Sequence, residues 1–147
     1  MKFAHIEEIF EHKGYKCACV FNKMGYRCGY VAVDETHPWY KKDYSDDGPN
    51  AVACHWGLTY SDRGNHFYND ESFWWFGFDC GHCSDRVDYD TAKEYDLVNE
   101  QEYVLGKRYQ DMMTFDDSTM KDIEFVKDNC KMIVEQLIIA EKERITT

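Results

Sequence analysis

Ser72-Phe73-Trp74-Trp75-Phe76-Gly77-Phe78-Asp79-Cys80 is the stretch on which the fold turns. A β-strand sends successive side chains to opposite faces, and here both faces are apolar. Such a strand must be covered on both sides, which places it inside a sheet. Upstream, residues 51–60, Ala51-Val52-Ala53-Cys54-His55-Trp56-Gly57-Leu58-Thr59-Tyr60, predict a second strand. The loop between the two holds Asp62-Arg63-Gly64-Asn65, a turn signal. Earlier still, residues 16–21 and 26–33 read as β-rich runs joined by Asn22-Lys23-Met24-Gly25, a hairpin turn with a closing Gly.

The ends of the chain read as helices. Phe3, Ile6, Ile9 and Phe10 stand at helical spacing and predict a short helix over residues 3–12, ended by Gly14. Residues 34–50 are a polar loop containing His37-Pro38-Trp39-Tyr40 and Gly48-Pro49, and residues 84–102 read as acidic loop with one helical turn. From about 119 to 144, Met120, Ile123, Val126, Cys130, Ile133 and Leu137 step by three or four residues. Thr119 and Asp122 approximate a capping box, and Lys142 and Arg144 suit the C-terminal dipole. The expected class is α+β: a mostly antiparallel sheet, a short N-terminal helix and a long amphipathic C-terminal helix packed on the sheet, in one domain over residues 1–147.

Composition narrows the function. The 147 residues carry 28 Asp and Glu against 17 Lys and Arg, a net charge of −11. That balance argues against a domain that grips duplex nucleic acid by neutralising phosphates. With 16% aromatic residues the chain is not a disordered acidic tail. No apolar run approaches the length of a membrane span, and Met1-Lys2-Phe3-Ala4-His5-Ile6-Glu7-Glu8 places acids where a signal peptide needs an apolar stretch. Seven cysteines are an odd number, which disfavours a disulfide framework and suggests a reducing cytoplasm. Cys17, Cys19 and Cys130 read as small buried apolar residues.

The densest reactive set is Cys54-His55-Trp56-Gly57 with Asp79-Cys80-Gly81-His82-Cys83-Ser84-Asp85. Three readings compete. His55 and His82 could act as general base and acid on a phosphodiester, since imidazole titrates near working pH, with Asp79 or Asp85 orienting His82. Cys80, His82 and Cys83 with Cys54 or His55 could hold zinc, although the spacing lacks a paired Cys-x-x-Cys half. Or the residues form a satisfied polar cluster that locks loops. The first reading needs no metal and no cofactor. His5, His12 and His66, without acidic or Cys partners at ligand spacing, read as surface residues.

Trp39, Tyr40, Trp56, Tyr60, Phe67, Tyr68, Trp74 and Trp75 supply more large rings than a core of this size needs, and rings near a loop can stack on nucleobases. Trp56 and Trp39 are the candidates for stacking, Thr59 and Tyr60 for positioning a phosphate, and Arg86, with Arg63, Lys107 and Arg108, for pairing with it. The acids from Asp79 to Glu102 read as a solvated face; the alternative is an imitation of nucleic acid that docks on a basic protein. A homo-oligomer is compatible with all of this.

Gly29-Tyr30-Val31-Ala32-Val33, His55-Trp56-Gly57-Leu58-Thr59-Tyr60-Ser61 and Trp74-Trp75-Phe76-Gly77-Phe78-Asp79-Cys80-Gly81-His82 resemble a family of small phage and mobile-element proteins. That family typically carries a His-Gly-Gly-Leu-Thr-Tyr-Ser box and a Trp-Phe-Gly-Phe-Asp-Cys-Ala-His box, and often ends in a helix similar to residues 123–130. Trp56 stands where the family usually has Gly, which crowds any pocket beside His55. Cys83 and Ser84 replace the small residues that usually follow the His. The resemblance implies counter-defence in a host cell's cytoplasm: removal of a cyclic or ADP-ribose-type nucleotide signal, or inhibition of a host defence protein.

Overall fold

The computed structural model describes residues 4–82, 85–112 and 120–146. Among these described residues five strands form one antiparallel sheet: β1 (Ala4–His12), β2 (Tyr15–Asn22), β3 (Arg27–Val33), β4 (Tyr60–Asp62) and β5 (Trp74–Asp79). Their spatial order is β1-β2-β3-β5-β4. Three helices follow, α1 (Tyr89–Glu94), α2 (Glu100–Met112) and α3 (Ile123–Thr146). The α+β class holds, with α3 laid across the sheet.

β5 lies between β3 and β4, and both its faces are covered as its sequence requires. Phe76 and Phe78 point into the layer beneath α3, where Val126, Cys130, Ile133, Val134 and Leu137 meet Cys17, Cys19, Val31 and Val33. Each of these Phe side chains is almost fully buried and contributes about 2 kcal/mol. Trp75 points the other way, into a second layer with Ala18, Val20, Tyr30, Ala32 and Phe67, roofed by Tyr68 and Phe73. A side chain at Gly29 would collide with the Phe78 ring and sit 3.0 Å from Cys130 Sγ, so glycine there lets α3 come down on β3.

The N-terminal segment is a strand, not the expected helix. β1 pairs along its length with β2, but the register slips between Ile6 and Glu8. The extra residue of this bulge puts Ile6 and Ile9 on one face although they are three apart, imitating helical spacing. Of the expected strand at 51–60 only Tyr60 is in the sheet, as the first residue of β4; Pro49–Ala51 forms a 3-10 turn instead. Trp56 (φ +60°) and Gly57 (φ +78°) lie in the left-handed region, which an extended strand cannot contain.

The acidic stretch is more helical than its periodicity suggested. Asp88 caps α1 by accepting from the Thr91 amide, and Asn99 and Glu102 exchange side-chain to backbone bonds at the start of α2. None of the α2 side chains is buried, which is why its apolar pattern is weak. α3 starts later than expected, with Asp122 accepting from the Phe125 amide; Thr119 lies outside the described residues, and Met120 is exposed rather than core. Cys17, Cys19 and Cys130 are buried free thiols.

Candidate functional site

The site forms where the irregular segment after the 3-10 turn passes the first turns of α3 and the end of β5. Two side chains of α3 hold that segment. Gln136 accepts from the Ala53 amide (2.7 Å) and donates to the Ala53 carbonyl (2.8 Å), and Asn129 accepts from the His55 amide (2.8 Å). Asn129 is fixed in turn by donating to the Phe125 carbonyl.

His55 Nε2 lies 2.8 and 2.9 Å from the two oxygens of Asp85, whose side chain is 1% exposed. The ring edge rests on Phe125, 5.1 Å between centroids. Asp85 also accepts from the His82 amide (3.1 Å), and Lys121 Nζ stands 3.5 Å from it. So Asp85 orients His55 and holds the His82 amide, not the His82 ring. The carboxylate behind His82 is Asp79, with Oδ1 3.4 Å from Nε2. That contact is close but misaligned for a hydrogen bond. Asp79 is already engaged, Oδ1 by the Gly81 amide and Oδ2 by the Thr59 hydroxyl. His82 Nε2 is buried and has no hydrogen-bond partner among the described residues.

The two imidazoles meet edge to face, 5.8 Å between centroids and 67° between planes. Trp56 lies on the His82 ring at 4.8 Å and 20°, with 57% of its surface exposed. The sequence thus named His55, His82, Asp79, Asp85, Trp56 and Thr59, and these do converge. Trp39 and Tyr60 do not join them. Trp39 packs edge-on to Phe76 and, with Ile139, lines a groove about 15 Å further along α3. Tyr60 stacks its edge on Tyr30 in the layer on the opposite face of the sheet. Arg86 is half-buried and makes none of the polar contacts just described. Lys121, Phe125 and Asn129 belong to the site but were missed; the i, i+4 pair on the flank of the α3 stripe was the available signal.

The thiols nearby are poor ligands and nucleophiles. Burial pushes Cys54 up to about 12 and raises Cys80 further above the usual thiol range. Among the described residues no group of three His, Cys, Asp or Glu side chains could hold a metal ion; Cys83 lies outside them. His5, expected on the surface, is half-buried and stacks on Tyr95, while His12 lies 3.3 Å from Glu135. His37, buried, links the 34–40 loop to the Leu137 carbonyl.

Comparison with protein-family models, with curated proteins and with solved structures gives no match.

Proposed function

We propose that this protein binds a small cyclic or ADP-ribose-type nucleotide signal at the His55–His82 pair and cleaves or sequesters it, as a phage-type counter-defence protein in the host cytoplasm. The carrying observation is the pair itself: two imidazoles 5.8 Å apart between centroids and set edge to face, each with a carboxylate beside it, next to an exposed indole. With Nε2 of His55 donating to Asp85, its Nδ1 keeps the lone pair of a base. Cleavage would then be a hydrolysis: His55 takes a proton from water as the new P–O bond forms, and His82 gives one to the leaving oxygen as the old bond breaks. Trp56 offers a ring to a base, and Lys121 a charge to a phosphate. The counter-defence setting rests on the resemblance of the His55 and Trp74 boxes to phage proteins.

No described helix is long and apolar enough to cross a membrane. The alternative, an acidic inhibitor that imitates nucleic acid, has less support. Asp88 is buried against Arg27, Asp90 is held by Tyr103 and Lys107, and Glu100 pairs with Lys93. Much of the acidic run is therefore spent on caps and local pairs.

The test is incubation with a panel of cyclic di- and oligonucleotides and cyclic ADP-ribose isomers, read by chromatography before and after heat denaturation. Ligand recovered intact on heating means sequestration; ligand lost means cleavage. If none is retained or depleted, the reading fails. A complex with a basic protein that weakens steeply with salt would support the inhibitor instead.

A further inference from the structure

One atom of the site is left incomplete. His82 Nε2 is shut away from solvent without a hydrogen-bond partner, although buried polar groups are almost always paired. Asp79 comes within 3.4 Å but is turned toward Thr59 and Gly81. What covers the ring on one face is the Trp56 indole, and little holds that indole in place: it is 57% exposed and its stack on His82 is its one ring contact among the described residues. Its backbone sits at φ +60°, a conformation costly for a large side chain, and strain of this kind gathers at working sites. Gly57 follows at φ +78° with open space where a side chain would be, so the indole has room to turn while the backbone stays held by the Gly57 amide on the Cys54 carbonyl and the His55 amide on Asn129.

We infer that Trp56 is a displaceable cover over a phosphate-oxygen site at His82 Nε2, an inference that rests on the nucleotide reading above. When a phosphorylated nucleoside arrives, the indole swings off the imidazole and a phosphate oxygen takes the hydrogen bond that Nε2 lacks. The freed indole then offers its face to the base. In this division His82 is the residue that touches the ligand, whereas His55, tied to Asp85 and Asn129, is the fixed wall opposite.

The test is carbethoxylation of the whole protein by diethyl pyrocarbonate, with modified histidines located by peptide mass spectrometry and exposed His66 as the internal reference. Trp56→Ala is expected to speed modification of His82 about tenfold relative to His66, and Trp56→Phe, which keeps a ring, to stay within about threefold of the original. Equal His82 rates in the original and Trp56→Ala proteins would overturn the cover. In Trp56→Ala, adenosine 5′-monophosphate and then each member of the panel serve as probes, and a ligand is expected to slow His82 modification again. A nucleotide that the protein retains without slowing His82 overturns this inference and spares the function. If no nucleotide is retained or slows any histidine, the function itself falls, and the inference with it.

Discussion

Two polar clusters sit at neighbouring places in this protein, and they differ in how completely they are satisfied. The first centres on Arg27. Its Nε and Nη2 donate to the two oxygens of Glu7 at 2.7 and 3.1 Å, and Nη1 donates to the Lys121 carbonyl at 3.1 Å and to Asp88 at 3.5 Å. Tyr95 donates to Glu7, Thr91 donates to Asp88, and the guanidinium lies over the Phe21 ring. The charged side chains of this set are 5 to 11% exposed. The second cluster, around His55 and His82, leaves a buried nitrogen unmatched and keeps a tryptophan in solvent. A closed network of this sort holds elements together; an incomplete one has room for a ligand. Lys121 belongs to both, its carbonyl to the first and its ammonium to Asp85 in the second.

The sharpest way to break the comparison is Arg27→Met. It strands Glu7 and Asp88 without a cation in a dry place, and should cost about 3–5 kcal/mol by urea unfolding. A loss below about 1 kcal/mol would mean that this cluster is no fastening. His55→Ala should cost less, about 1–2 kcal/mol, because Asp85 keeps Lys121 and the His82 amide while losing one charge-assisted bond. Handling of any retained nucleotide should vanish in the same variant. His82→Ala should move stability by less than about 1 kcal/mol, since its Nε2 makes no hydrogen bond among the described residues, yet remove nucleotide handling as fully as His55→Ala. A large drop in stability from His82→Ala would show instead that the second cluster is as structural as the first.

The smallest effect concerns Cys54, which adjoins His55 in sequence. Its thiol is held protonated by burial, with its titration pushed up to about 12, so iodoacetamide at neutral pH should label it far more slowly than it labels the unfolded chain. Cys17 and Cys28 are likewise raised to about 12. Because the unfolded thiols ionise near 9.0 and the folded ones only near 12, stability should fall as pH climbs through that window. A midpoint of thermal unfolding that is flat across it would contradict the burial of these thiols.

The parts of the fold legible in the sequence were those where one element's own residues decide its state. Residues 74–79 announce a doubly covered strand, and Val126, Cys130, Ile133 and Leu137 a helix laid on the sheet. β1 was illegible because a bulge resets the alternation of a strand, so Ile6 and Ile9 fall at a spacing that a helix would also give. α2 was hidden for the opposite reason: it buries none of its side chains and so carries almost no stripe. The site was half legible. The histidines and their carboxylates were dense enough to see, but which acid serves which ring depends on how Asp85 is fixed by its bonds to the His82 backbone. Asp85 reaches His55, thirty positions away. Lys121 and Asn129 reach the site only because α3 crosses the sheet at one angle, which no local pattern encodes.

The two hydrogen bonds between Gln136 and Ala53 have a consequence of their own. One side-chain amide satisfies both the donor and the acceptor of a backbone unit, as an adjacent strand would. The segment that carries His55 is thus a strand in exile, paired to a helix in place of a sheet. Its position is inherited from α3, so a small slide or roll of that helix would be felt at the Asp85 bridge between the His55 ring and the His82 amide. The gap between the two rings is in this sense a gauge of how the helix lies on the sheet.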